Sequence, residues 1–218
     1  MRILAIDTTA EFGSIAAVEG GRAVAELLLR SPEGFSSTLF THVRALLERA
    51  CWELDSVDCF AAAAGPGSFT GVRVGLAAAK GLAEALGKSA TGVSNLQAVA
   101  SFGEAPLRAA VLDARRGQIY GAVYDAGLNA VSPEVVARFP EWLKTLPGGD
   151  IEFLSTDFAP FEQALAGTRF EHARITNVPR ALAAAVGRIA EARGCADPAV
   201  IDANYVRRSD AELFWRDR

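Results

Sequence analysis

The sequence feature that most constrains the fold is a pattern that occurs twice, about a hundred residues apart. Residues 2–18 read RILAIDTTAEFGSIAAV and residues 108–123 read RAAVLDARRGQIYGAV. Each copy is typical of a strand that ends in an aspartate, followed by a polar turn and an antiparallel strand. A hairpin repeated at this distance predicts two duplicated domains rather than a short-period solenoid. Chance is the alternative, because a strand, aspartate, turn and strand are a common succession.

Apolar patterning predicts helices and strands around the two hairpins. A chain of 218 residues with 50% hydrophobic and 22% charged residues is typical of a globular protein with a sizeable core. The stretch 103–106 reads GEAP and indicates a boundary, so the predicted domains are residues 1–104 and 105–218. The other predicted strands are 23–29, 59–63, 90–93 and 152–155, and the predicted helices are 37–52, 72–86, 95–102, 140–146, 158–165 and 181–192.

Charge and cysteine content exclude several classes of protein. The net charge is −4 and the pI about 5.3, which argues against a general nucleic-acid binder, so any contact with RNA must be local or made by a partner. Cys51, Cys59 and Cys195 are odd in number and include no C-x-x-C pair, so we expect neither a disulfide framework nor a zinc ribbon. The N-terminal apolar run is four residues long, too short for a signal peptide or a membrane span. We therefore expect a cytoplasmic protein without membrane contact.

The segment GPGSFTG, residues 65–71, lies between a predicted buried strand and a predicted helix. Its glycines predict a tight backbone that something approaches closely, and a helix N-terminus attracts anions, so a phosphate or nucleotide site is one interpretation. The other is a structural turn in which Ser68 or Thr70 caps the helix. The spacing matches neither a P-loop nor G-x-G-x-x-G, and a nucleophile elbow at Ser68 would need glycine where Pro66 stands.

Asp7, Thr8 and Thr9 follow the first predicted strand, where proteins that hydrolyse ATP between two such domains place a carboxylate and hydroxyls near magnesium and phosphate. The second copy offers Asp113 followed by Ala-Arg-Arg, so half of such a clamp is missing. Independent ATPase activity is therefore not expected, and Asp7 capping a hairpin turn is the alternative. His42 and His172 have no second ligand at helical spacing, so no metal site is predicted.

The predicted helix 72–86 has an unusual surface. Its charged side chains are Arg73, Lys80 and Glu84, which form one narrow stripe, and the rest of its circumference is apolar. Such a helix must be covered on more than one side. Its own sheet would cover one side, so the surplus predicts a partner. The alternative is a helix buried within one larger domain.

Four stretches of the chain resemble one known family. They are MRILAIDTT, residues 64–83 (AGPGSFTGVRVGLAAAKGLA), residues 93–96 (VSNL) and the hairpin LDARRGQIYGAVYD at 112–125. In order and spacing they closely resemble the bacterial TsaB family, also called YeaZ. The tail Tyr205-Val206-Arg207 resembles the family's closing motif.

The resemblance implies an α/β fold of the actin and hexokinase type (ASKHA, ribonuclease H-like), with two duplicated domains of mixed sheets flanked by helices. It also implies a scaffold and dimerisation subunit that is not itself an enzyme. The paralogous catalytic subunit TsaD carries an H-x-x-x-H metal motif in the segment that corresponds to residues 35–42. This chain reads FSSTLFTH there, with His42 alone.

The resemblance further implies partners and a function. TsaB-like proteins pair through their first two long helices, here 37–52 and 72–86, with themselves when alone or with TsaD. The expected function is to bind a TsaD-like subunit and, with a TsaE-like ATPase, to support threonylcarbamoyl transfer to the adenosine next to the anticodon of tRNAs. The chain would contact tRNA indirectly, hold no cofactor of its own, and meet ATP or ADP only at the partner interface.

Two sets of residues follow from this interpretation. The expected interface residues are Leu39, Val43, Leu46, Val72, Leu76, Ala79, Lys80 and Ala83. The expected phosphate-proximal residues are Asp7, Thr8, Thr9, Gly65, Gly67, Ser68 and Gly71.

Two other functions stay open. An autonomous ATPase or phosphotransferase would use Asp7 with residues 65–71, and a peptidase-like enzyme would use Ser68. A direct tRNA binder would use the arginines of the tail, which are Arg207, Arg208, Arg216 and Arg218.

Overall fold

The strands of the protein form two five-stranded mixed sheets, as seen in a computed structural model that describes residues 1–207. The first sheet has the order β3-β2-β1-β4-β5. Strand β1 is antiparallel to β2 and parallel to β4. Its strands are β1 (Arg2–Asp7), β2 (Phe12–Glu19), β3 (Arg22–Arg30), β4 (Cys59–Gly65) and β5 (Ser89–Ser94).

The second sheet repeats this arrangement. Its order is β8-β7-β6-β9-β10, with β6 antiparallel to β7 and parallel to β9. The two hairpins that match in sequence, β1–β2 and β6–β7, thus hold equivalent places in the two sheets. The prediction of two duplicated mixed sheets is confirmed. The strands are β6 (Leu107–Asp113), β7 (Ile119–Asp125), β8 (Val135–Ala137), β9 (Ile151–Ser155) and β10 (Arg174–Asn177).

Helices cover the first sheet on both faces, which is why its central strands are uniformly apolar. Leu4 and Ile6 of β1 pack in one cluster with residues of α1 and α2. The opposite face lies against α6, where a Cβ on Gly187 would stand 2.6 Å from a methyl of Val18. The helices are α1 (Leu39–Ala50), α2 (Phe69–Leu86), α3 (Asn95–Ala100), α4 (Phe139–Leu143), α5 (Ala159–Glu162) and α6 (Ala183–Arg193).

The chain divides into two compact units at places that differ from the predicted boundary. The first unit is Met1–Asn95 with Arg180–Asn204, and the second is Leu96–Pro179 with residues 205–207. A single boundary after residue 104 would assign α6 to the second domain. Instead α6 packs on β1 and β2, because its buried alanines cover a sheet face that would otherwise be exposed.

Most predicted elements occur within a few residues of their expected bounds, and the misses have physical reasons. Helix α2 begins at Phe69 rather than at 72, because Ser68 supplies its N-cap. Strands β8 and β10 were not predicted, since they are three and four residues long and have no fully buried position.

The second unit has an aromatic core and one buried acid. Phe139 and Phe153 lie in its hydrophobic cluster, with ring centroids 6.1 Å apart. The side chain of Glu152 accepts hydrogen bonds from the backbone N–H of Ala105 at 2.9 Å and from Thr176 Oγ1 at 2.6 Å. Burial by itself raises the pKa of Glu152, but the hydrogen bonds outweigh it and hold that pKa below its usual value.

A disulfide joins Cys59, the first residue of β4, to Cys195, which follows α6. Their Cα atoms are 6.4 Å apart, and Cys51 is a free, exposed thiol. The sequence analysis expected no disulfide framework and did not predict this single pair. A cross-link between residues 136 apart leaves no local spacing signal, so the pairing became visible only when the fold brought the two cysteines together.

No helix within residues 1–207 combines the length and the apolar character that crossing a bilayer requires.

Candidate functional site

Hydrogen bonds join the end of β1 to the start of the GPGSFTG turn. Oδ1 of Asp7 accepts from the backbone N–H and the hydroxyl of Thr9, at 3.0 and 2.6 Å. The hydroxyl of Thr9 accepts from Asn95 Nδ2 at 2.7 Å, and Asn95 Oδ1 accepts from the N–H of Gly65 at 3.0 Å. The sequence analysis selected Asp7, Thr9 and Gly65 as site residues but missed Asn95. The signal that could have indicated Asn95 is its position directly after β5.

The glycines of the turn make room for the backbone of Thr8 and Thr9. The N–H of Ser68 donates to the carbonyl oxygen of Thr9 at 2.7 Å, and the hydroxyl of Thr8 donates to the carbonyl oxygen of Gly71 at 2.7 Å. A Cβ on Gly67 would stand 2.7 Å from Thr9, and one on Gly71 would overlap the carbonyl oxygen of Thr8. The close approach predicted for these glycines is therefore made by the chain's own β1–β2 turn.

The start of α2 is capped from within the first unit. The side chain of Ser68 accepts from the N–H of Gly71 at 3.4 Å, which is the structural alternative considered for this segment. Six of the seven residues expected near a phosphate thus take part in one set of hydrogen bonds between the end of β1 and the start of α2, and Gly67 lies close against Thr9. Their proximity to a phosphate stays a prediction.

Asp7 is an acidic residue in a buried position, with 2% of its surface exposed. Burial raises its pKa above the ordinary value of 3.8, and the hydrogen bonds from Thr9 and Asn95 offset only part of that effect. Asp113, at the equivalent position of the second sheet, is exposed and sits 3.6 Å from the guanidinium of Arg115. The duplicated aspartates therefore have different environments.

We expect Asp7→Asn to remove a pH-dependent penalty on folding. An acid whose pKa is higher in the folded than in the unfolded state lowers the free energy of unfolding as pH rises from about 3.8 through the folded-state pKa, above which the loss is complete. The wild type should therefore lose stability relative to Asp7→Asn over that interval, by about 1.4 kcal/mol for each unit by which the pKa is raised. Urea unfolding at a series of pH values measures the difference.

Asp113→Asn is the matched control, because that side chain ends the equivalent strand but is exposed. A wild type that gains stability over Asp7→Asn as pH rises would contradict the prediction.

Most residues expected at a partner interface are buried within the single chain. Seven of them lie in the first unit's hydrophobic cluster, and Lys80 is half-buried. Among them, Val43 also lines a surface groove. Contact of these residues with a partner stays a prediction. The buried residues are Leu39, Val43, Leu46, Val72, Leu76, Ala79 and Ala83.

The first unit has a surface groove beside α1 and α2. It has a volume of about 750 Å³ and runs along α1 to the turn that follows it, with Leu82 of α2 at one side. Phe40 is 57% exposed here, and Arg44 pairs with Glu48 at 3.0 Å on the exposed side of α1. The groove is lined by Phe40, Val43, Arg44, Leu47, Glu48, Cys51, Trp52, Glu53, Leu54 and Leu82.

Helix α2 is not wholly enclosed by its own unit. Ala77, Gly81 and Ala85 are exposed along its outer side, and Val74 and Leu82 are half-buried. The sequence prediction of surplus apolar surface on this helix therefore holds for small residues and for partly exposed larger ones, while Val72 and Leu76 are buried.

Residues 1–207 contain no group of three or more His, Cys, Asp or Glu side chains that could hold a metal ion. His42 lies half-buried in α1. The arginines Arg208, Arg216 and Arg218 of the tail lie outside the described residues. Arg207 donates to the carbonyl oxygen of Ala114 at 2.8 Å.

Comparison with known proteins identifies the family. The family model described as TsaD, tRNA N6-adenosine threonylcarbamoyltransferase, matches residues 31–190. The tRNA threonylcarbamoyladenosine biosynthesis protein TsaB of Bacillus subtilis is 31% identical over 99% of this chain and 98% of the relative. The chain belongs to the TsaB family. Its TsaB relative in Escherichia coli is 36% identical over 60% of this chain and 58% of that protein.

The solved structure of YeaZ from Pseudomonas aeruginosa has the same fold as this TsaB-family chain. Its TM-score is 0.77 at 26% identity, covering 93% of this chain and 99% of that one. The predicted fold class, two mixed sheets of the actin and hexokinase type, is confirmed. Both of these relatives carry the name TsaB, the biosynthesis protein, and the Bacillus subtilis relative is matched over nearly its whole length.

Proposed function

We propose that this chain is a non-catalytic scaffold subunit in the biosynthesis of threonylcarbamoyladenosine in tRNA. It would dock a TsaD-like catalytic subunit and, together with a TsaE-like ATPase, support threonylcarbamoyl transfer to the adenosine next to the anticodon. The observation that carries the proposal is membership of the TsaB family over the full chain.

The segment at residues 35–42 supports a role without catalysis of its own. TsaD-like paralogues carry two histidines there, and this chain carries His42 alone, on a helix and half-buried. Asp7 accepts two hydrogen bonds from Thr9, and Thr8 donates one to Gly71. These bonds within the chain support a structural role for the turn that follows β1. No feature of the site favours an autonomous ATPase or a peptidase.

The groove along α1 supports docking. An exposed phenylalanine that lines a groove is the kind of anchor that contributes much of the binding energy at protein interfaces. We propose that this groove receives apolar helix residues of the TsaD-like subunit, or of a second copy when the chain is alone. ATP or ADP would bind only at that interface, tRNA would be contacted indirectly, and the complex would work in the cytoplasm.

Reconstitution with purified subunits tests the proposal. Unmodified tRNA is incubated with the TsaD-like and TsaE-like subunits of the same cell and their substrates, with and without this chain, and the modified nucleoside is measured by mass spectrometry. We expect modification to fall at least tenfold without the chain. Equal modification without it would refute the role.

A control addresses the enzymatic alternative. The chain alone, with ATP and magnesium, should show no turnover. Turnover that Asp7→Ala abolishes would overturn the scaffold interpretation.

A further inference from the structure

A segment of the first unit is held to the sheet by one covalent bond and a few weak ones. Residues 194–204, here called the strap, follow α6. Cys195 joins the strap to Cys59 through the disulfide. The next residue, Ala196, exchanges two backbone hydrogen bonds with Ala90 of β5, at 3.0 and 2.9 Å.

The far end of the strap closes against β4 and β5. Ile201 is 8% exposed and packs in the core, with a methyl 3.0 Å from where a Cβ on Gly92 would stand. The N–H of Asn204 donates to the carbonyl oxygen of Ala64 at 2.8 Å. Between these contacts the strap is largely exposed, so the disulfide is its strongest attachment near α6.

The two sulfur atoms differ in how easily a thiol can reach them. Cys59 is completely buried, whereas Cys195 is half-buried between the exposed residues Gly194 and Ala196. Thiol–disulfide exchange requires a thiolate to approach one sulfur directly. We therefore expect an attacking thiol to approach the bond from the side of Cys195, the more exposed of the two residues.

We propose that Cys59–Cys195 is a reversible redox latch that holds the strap against the first sheet. The reductant is a dithiol. One of its thiolates attacks Sγ of Cys195, forming a mixed disulfide there, and Cys59 leaves as a thiolate that takes up a proton. The second thiol of the reductant then displaces Cys195, which is protonated in turn. Two electrons pass to the protein, and the dithiol becomes a disulfide.

The surroundings of the bond explain why it would act as a latch. We expect reduction to leave the sheet and α6 intact, because α6 packs on β1 and β2 as well as on β4, which carries Cys59. The start of the strap then keeps the backbone hydrogen bonds of Gly194 with Ala190 and of Ala196 with Ala90, so we expect local opening to be easier than global unfolding. Reversibility rests on the proposed cytoplasmic location, since disulfides in reducing compartments are usually transient.

Hydrogen exchange on the full chain tests the latch. The protein is prepared oxidised with oxidised glutathione and reduced with dithiothreitol, and amide exchange is followed by mass spectrometry. We expect exchange in peptides that contain Ala196 to be at least tenfold faster after reduction, while peptides from β1 stay unchanged. Equal exchange of the strap in the two states would overturn the proposal.

Thiol counting and two variants complete the test. Maleimide should label one cysteine in the oxidised protein and three after reduction and denaturation, because the chain has three cysteines and Cys51 is free. Cys195→Ser should exchange like the reduced wild type in either condition, and Cys51→Ser should keep the full redox response. A bond that does not form, or that dithiothreitol cannot reduce while β1 stays protected, would also overturn the latch. These outcomes do not depend on tRNA modification, so they are separable from failure of the proposed function.

Discussion

Phe40→Glu is expected to weaken binding of the TsaD-like subunit by about 30-fold or more, since hot-spot side chains contribute about 2 kcal/mol or more. The change places a carboxylate in the lining of the groove, where docking would have to remove it from water. The affinity is measured by titrating the purified partner, and tRNA modification should fall in parallel.

The fold itself should tolerate this change. Phe40 is 57% exposed and makes up part of the first turn of α1, which has no acidic residue. A glutamate there interacts favourably with the helix dipole, so we expect the stability to change by less than about 0.5 kcal/mol. Loss of binding could then not be attributed to unfolding.

Leu28→Glu is the matched control for Phe40→Glu. Leu28 is 55% exposed, a similar fraction, but lies on β3 and does not line the groove. It should leave the affinity within about twofold of the wild type, as expected for a substitution outside the interface. Unchanged affinity of Phe40→Glu, or equal loss in both variants, would show that the groove is not the docking surface.

Leu76→Glu cannot serve this purpose, although sequence periodicity selects it. Leu76 is 7% exposed and lies in the core, so a glutamate there would bury an unpaired charge. Its loss of binding would follow from unfolding, whatever the interface.

Gly71→Ala and Gly81→Ala are expected to change stability in opposite directions, although both lie in α2. A Cβ on Gly71 would overlap the carbonyl oxygen of Thr8, which is a backbone atom and cannot rotate away. We expect a loss of about 3–5 kcal/mol or a failure to fold, near the upper end of overpacking costs.

Gly81 supplies the control, because nothing lies within 4 Å of the position where its Cβ would stand. Alanine has the higher helix propensity, so Gly81→Ala should stabilise the protein by about 0.5–1 kcal/mol. Urea unfolding measures both effects, and soluble yield is the readout if Gly71→Ala does not fold. A Gly71→Ala variant as stable as the wild type would show that the turn does not fit as closely as the structure indicates.

Local pattern was sufficient for the elements of the first sheet. Strand β4 is buried along its whole length and is uniformly apolar, and the buried residues of α1 recur at helical spacing. Each pattern lies within one segment, so the sequence predicted both elements. The repeated hairpin predicted the duplication, because the same residues at the same spacing form the same strand pairing. The family motifs then indicated the fold class.

The candidate site was only partly predictable. The sequence singled out Asp7 and the GPGSFTG turn, but the link between them passes through Asn95, far along the chain. The prediction that glycines permit a close approach was sound, yet it could not say whether a ligand or the chain's own Thr8 and Thr9 would be the approaching group.

The sequence by itself determined that this chain contains two matching hairpins and an unusually apolar second helix, because periodicity and composition are local properties of each segment. The mixed sheets were implied by the family resemblance. Only the tertiary structure decided which face of that helix is buried, that α6 belongs with the first sheet, and that Cys59 meets Cys195. Those outcomes depend on which distant segments compete for the same apolar surface, and no single stretch of sequence contains that information.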